Sequence, residues 1–157
     1  MPSNSVILNS NLFVLLVVGL ASRSYIAKHK RLSTYTEKDF DLLFNFLESA
    51  PRIIVTPNTV TETSNLAGQI GEPARSQVLA VLRGLLRTME EVYVESKQAA
   101  EHSAFLRLGL TDSVMLNTIA HGQTLLTADL DLYLEAGRHG HTAVNFNHYI
   151  EANRPYG

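Results

Sequence analysis

Val6-Ile7-Leu8-Asn9-Ser10-Asn11-Leu12-Phe13-Val14-Leu15-Leu16-Val17-Val18-Gly19-Leu20-Ala21 is the stretch on which the fold turns. A short apolar run that stops at a polar triplet reads as a buried strand. The longer run from Leu12 has no polar face, so it reads as a helix surrounded by protein. A strand feeding such a helix is the opening unit of a sheet covered on both sides. The Leu12–Ala21 run is about half the ~20 residues a membrane span needs. No Lys or Arg lies ahead of it in Met1–Asn11, as a secretory leader would have. It is core, and no membrane partner is expected.

The same alternation continues downstream. Thr36-Glu37-Lys38-Asp39 opens a second helix with Phe40, Leu43, Phe44 and Leu47 on one face, and Pro51 closes it. Arg52-Ile53-Ile54-Val55-Thr56 is a strand. After Pro57, Asn58 or Thr59 is placed to cap a helix towards Leu66 and Ala67. Pro73 opens the next helix, with Val78, Leu79, Leu82, Leu85 and Leu86 inward. Val92-Tyr93-Val94 reads as a short strand and 98–108 as a helix. Thr111 is expected to cap a helix over Asp112–Ala120, with Asp112 complementing its dipole. Thr124–Thr127 is a strand, Leu130–Ala136 a helix and His141–Phe146 the last strand. The expected fold class is α/β: a single domain with a central, mainly parallel sheet between helical layers.

The 157 residues suit one domain with one sizeable core. Hydrophobic residues at 45% against 18% charged exclude a disordered chain. The formal net charge of −2 leaves no global basic field, so nucleic-acid contact would need a local patch. The absence of cysteine excludes disulfides and thiolate sites and fits a reducing cytoplasm.

Ligands of open α/β sheets gather at the carboxyl ends of the strands. Asn9, Ser10 and Asn11 follow the first strand there, and Glu62 lies on the helix after the second. Asp112 starts a helix of its own. Asp129 and Asp131 follow Thr127. Taken singly, each acid has a plain explanation: helix cap, turn former, solvated helix face. Converging, they would repel one another unless a divalent cation intervened. Oxygen ligands suit Mg²⁺ or Mn²⁺, and such ions activate water and stabilise charge on a phosphate. Metal-dependent phosphodiester hydrolysis is the chemistry so implied.

With Val6–Asn11, Thr61-Glu62, Leu110-Thr111-Asp112-Ser113 and Leu125–Asp131 in this order, the chain resembles the PIN-domain ribonucleases, which include the VapC-like toxins. The resemblance spans Val6 to about Phe146 and implies a PIN-like α/β/α domain that cleaves RNA. It carries the metal ligands over as Glu62, Asp112 and Asp129, with Asp131 supporting. It gives Ser10, Asn11 and Thr127 supporting roles, and it implies an RNA substrate, an antitoxin protein and a homodimer as partners. The family has Asp where this chain has Asn9. Asn is nearly isosteric with Asp but neutral, and it offers a cation one weaker carbonyl oxygen. Activity of the chain as it stands is therefore expected to be low or absent. An engineered silencing substitution and a naturally weakened member both account for Asn9.

The one basic cluster is Lys28-His29-Lys30-Arg31 with Arg23 upstream. Lys28, Lys30 and Arg31 are candidates for RNA phosphates, and a solvated loop explains them equally well. Tyr25 and Tyr35 flank it as candidates for base stacking or core packing. His139, His141 and His148 match no zinc spacing and read as surface residues. Walker A, G-x-S-x-G and H-E-x-x-H patterns are absent. Two alternatives to the ribonuclease remain: a binding module with a vestigial site, and a structure-specific DNA nuclease, for whose threading helices this chain has little room. The apolar stripes of 40–47 and 78–86 are candidates for a dimer face and for the core.

Overall fold

A computed structural model describes residues 5–119 and 122–154 of the chain. In chain order the elements are β1 (Ser5–Leu8), α1 (Ser10–Ala21), α2 (Glu37–Glu48), β2 (Ile53–Val55), α3 (Pro57–Ala67), α4 (Ala74–Leu86) and β3 (Glu90–Glu91). There follow α5 (Ser96–Ala99), α6 (Phe105–Leu108), α7 (Leu110–Thr118), β4 (Gln123–Thr127), α8 (Leu130–Arg138), β5 (Thr142–Asn145) and α9 (Phe146–Ala152). The strands form one all-parallel sheet in the order β3-β2-β1-β4-β5.

Alternate residues of β1 face opposite layers, as the period of a strand requires. Val6 and Leu8 join the apolar cluster with α1 and α4, whereas Ile7 joins Met115, Leu116 and Leu132 on the other side. The result is a three-layer α/β/α domain, as the alternation of strands and buried helix implies. α1 is buried along nearly its whole length because helices pack around it as well as the sheet. Gly19 permits the closest of these contacts: a Cβ there would fall inside the Phe40 ring. Gly19→Ala is therefore expected to lose about 1–2 kcal/mol, because overpacking outweighs the gain in helix propensity. Thermal unfolding checks this, and an unchanged or raised Tm would contradict it.

Several local expectations need correction. The α3 cap is Thr56, whose Oγ1 accepts from Thr59 N at 3.2 Å; Pro57 is the first helical residue, leaving no capping role to Asn58 or Thr59. Gly109, at φ +86°, occupies the cap position of α7, so Thr111 lies inside the helix. Part of the expected Asp112–Ala120 helix, Ala120 itself, lies outside the described residues. The third strand is Glu90–Glu91; Val92 still donates its N–H to Val55 O at 2.9 Å, whereas Tyr93 is 74% exposed, so the pairing lies earlier than the apolar 92–94 stretch implied. The helix expected over 98–108 is broken into α5 and α6. His102 Nδ1 accepts from Ala104 N at 3.0 Å, satisfying a backbone donor outside a continuous helix. The last strand stops at Asn145, whose side chain caps α9.

The stripes of α2 and α4 serve the core: Phe40, Leu43, Leu47, Val78 and Leu82 are buried, and Phe44 is 37% exposed. Among the described residues, no helix is long and apolar enough to cross a membrane.

Candidate functional site

Register places the site. Leu8 lies level with Leu126, and Ile7 with Ile54, so β1, β2 and β4 end at nearly the same height. Each strand then delivers its polar residues to one edge. Asn9 N donates to Leu126 O at 3.2 Å, holding the two exits side by side. Asn9 Oδ1 caps α1 by accepting from Leu12 N at 3.4 Å. Asp129 Oδ1 caps α8 by accepting from Leu132 N at 3.1 Å. Asp112 lies in the first turn of α7. Three helix N-termini thus surround the edge, and their positive dipole ends favour carboxylates there.

One cavity of about 330 Å³ is lined by Asn9, Ser10, Asn11, Glu62, Asp112 and Asp129, together with Leu108, Leu110, Thr111 and Met115. Four segments distant in the sequence therefore meet as the strand-end argument requires. Thr127 is wholly buried beneath them, and its Oγ1 accepts from Asp129 N at 3.0 Å, fixing the start of the α8 turn. Asp131 is exposed in the first turn of α8 and does not line the cavity.

Asp112 is pushed up to about 7, first by burial and then by the negative charges of Asp129 and Glu62. The direction follows from elementary electrostatics: both burial and like charge disfavour the ionised form. Ser10 Oγ is a second unsatisfied group. It is buried, lines the same cavity and has no hydrogen-bond partner. An orphaned hydroxyl beside crowded carboxylates is the pattern of a site completed by a bound group.

The donor set is one of hard oxygens: three carboxylates, the Asn9 carbonyl and the Ser10 hydroxyl. It fits Mg²⁺ or Mn²⁺ in kind and is one charge short at Asn9. Among the described residues, no group of three or more His, Cys, Asp or Glu side chains is placed to hold a metal ion. Glu62 is exposed on α3.

The basic cluster is divided by the fold. His29 is buried; its Nδ1 accepts from Arg31 N, so Nε2 carries the proton and donates to Ala67 O at 3.0 Å. It is a strut between the loop and the end of α3. Lys28 and Lys30 are exposed and line none of the described cavities around the edge. Arg31 lines a groove of about 540 Å³ with Asn11, Tyr35, Asn147 and Arg154, and Asn11 is shared with the acidic cavity. Asp39 and Glu151 also line it. The Asp39 carboxylate accepts from Thr36 N at 2.9 Å in the α2 capping box. Arg23 is paired with Glu37 and Asp41. The Tyr25 hydroxyl donates to Gln77, and Tyr35 packs against Phe146 while lining the groove.

Arg154 and Asn147 were not candidates in the sequence. They stand after the last strand, and only the return of α9 brings them to the groove. His139 pairs with Glu135 at 2.8 Å and packs near His102 and His141, away from the acidic edge; no sequence spacing announced this cluster.

No family model and no curated protein matches the chain. Among solved structures it is similar to a domain of a functionally unknown protein from Methanocaldococcus jannaschii DSM 2661, at 18% identity. That likeness covers 90% of this chain and 89% of the other, with a TM-score of 0.44.

Proposed function

We propose that the chain is a metal-dependent endoribonuclease of PIN type, held at low activity by Asn9. The observation that carries this reading is the cavity that Glu62, Asp112 and Asp129 line together at the ends of parallel strands, where burial first, and then the charges of Asp129 and Glu62, raise Asp112 to about 7. Crowded carboxylates at that cost call for a cation, and hard oxygens call for Mg²⁺ or Mn²⁺. When bound, such an ion supplies a nucleophilic water and neutralises charge on the phosphate under attack.

The chain's own residues divide the remaining work. Glu62, Asp112 and Asp129 hold the cation. Thr127 keeps Asp129 in place through its backbone N–H, while Asn9 and Ser10 present oxygens to the same space. Asn11 joins the acidic cavity to the Arg31 groove, so a strand crossing the site would meet Arg31 and Arg154 beyond it. RNA is the substrate that the family resemblance implies.

Arg31→Gln and Arg154→Gln are each expected to weaken RNA binding uniformly across sequences. Each should reduce the slope of log affinity against log salt by about one. Binding titrations at graded salt check this, and unchanged slopes in both variants would remove the groove from the RNA path.

The reading itself is tested by RNA cleavage in Mg²⁺ or Mn²⁺, with Asn9→Asp set against the chain as it stands. If Asn9→Asp is inert over a broad panel of RNA and DNA, the nuclease reading fails. Asn9 itself would then favour the other reading, a binding module that keeps the shape of the site without its charge.

A further inference from the structure

A third furrow continues the acidic cavity along α3. It encloses about 440 Å³ and is lined by Pro57, Asn58, Thr61, Glu62, Asn65 and Thr111. Glu62 and Thr111 also line the acidic cavity, so the furrow and the cavity are continuous. Asn58, Thr61, Glu62 and Asn65 are spaced as successive positions on one face of α3, while Thr59, Thr63 and Ala67 turn into the core. Asn58, Thr61 and Asn65 make no side-chain hydrogen bond to another described residue. No Lys, Arg or His is among the residues that line the furrow.

The two arms of the cleft therefore differ in chemistry. The Arg31 arm offers guanidinium groups to phosphates. Beside the Glu62 carboxylate, the α3 arm offers neutral carboxamides and hydroxyls, which carry donor and acceptor side by side. A carboxamide matches the edge of a nucleobase, and unpaired bases of single-stranded RNA expose such edges. It has little to give a phosphate that water does not give already.

We propose that Asn58, Thr61 and Asn65 form a base-reading wall, contacting the base edge of a nucleotide next to the bond cut at the acidic cavity. The proposal rests on the nuclease reading for its substrate. The wall sets sequence preference, and the Arg31 arm sets sequence-independent affinity.

The experiment uses the chain as it stands and a pool of short single-stranded RNAs of randomised sequence. Bound RNAs are sequenced, and affinity is followed against salt. The double variant Asn58→Ala/Asn65→Ala is expected to lose about five- to tenfold of the preference at one nucleotide position, with the salt slope unchanged. An unaltered Tm shows that the variant is folded, and Thr61→Val supplies a second, milder probe. The wall is overturned by an unchanged preference, by uniform weakening with a shallower salt slope, or by failure of the chain to bind the pool. The cleavage assay separates the two ideas. If Asn9→Asp cuts RNA at the same sites with and without the wall substitutions, only the wall fails. If the preference shifts in the pool while Asn9→Asp cuts nothing, the wall stands and the nuclease reading fails.

Discussion

Asn9→Asp is expected to raise metal-dependent RNA cleavage by at least ~100-fold over the chain as it stands. Loss of a group that merely orients a metal ligand costs about 10- to 100-fold, and position 9 lines the cavity itself. The substitution asks little of the fold. Asn9 is 5% exposed and caps α1 through its Oδ1, a bond that an Asp oxygen makes equally well. The α1 N-terminus also favours the added charge by about 0.3–1 kcal/mol. Without cation the new carboxylate adds repulsion to Glu62, Asp112 and Asp129. With cation it closes the charge deficit. Mn²⁺ should therefore raise the Tm of Asn9→Asp more than that of the parent; at a hundredfold excess over Kd the stabilisation is about 2.7 kcal/mol. Cleavage and the Mn²⁺-induced Tm shift are separate readouts, and equal Tm shifts in the two chains would contradict the placement of position 9 in the ligand set.

Asp112→Asn should have opposite effects on activity and stability. In the Asn9→Asp background it is expected to lower cleavage by ~100-fold or more, since it removes a charged ligand candidate. In the absence of divalent cations it should stabilise the fold. The unfolded chain releases the Asp112 proton near 3.8 and the folded chain near 7. Between these values the folded chain holds the extra proton, so stability falls as pH rises from about 4 to about 7 and then levels off. Asn carries no such penalty. Solvent screening at this half-buried carboxylate reduces the gain to about 1–2 kcal/mol above pH 7, a few degrees in Tm. Unfolding at pH 8 and at pH 4 checks the sign: the variant should gain at pH 8 and show little difference at pH 4. A variant that unfolds earlier than its parent at pH 8 without cation would mean that Asp112 is a structural cap.

The site was legible in the sequence to the extent that its residues follow strands. Asn9 to Asn11 stand directly after Leu8, and Asp129 after Thr127, so a parallel sheet predicts their edge. Glu62 was reached through the helix that Pro57 begins, although its cap proved to be Thr56. The fold divides the basic cluster. Adjacent positions in the 28–31 loop point to different surroundings, and only Arg31 reaches the groove while His29 is buried as a strut. Asp131 was grouped with Asp129 by proximity in sequence, but α8 turns it towards solvent. Arg154, Asn147 and the α3 wall had no local signal, because nothing in their own segments distinguishes a cleft wall from a solvated helix face.

The sequence by itself determined the alternation of strands and helices, the burial of α1 and the polar character of the strand ends. These follow from periodicity, proline and cap chemistry, which act over a few residues. The tertiary structure alone decided that Glu62, Asp112 and Asp129 share one cavity with Asn9, and that the Arg31 groove and the α3 furrow each share residues with it. Those are matters of sheet register and helix packing. They depend on how distant segments fill one another's apolar surfaces, and no window of the chain contains both partners.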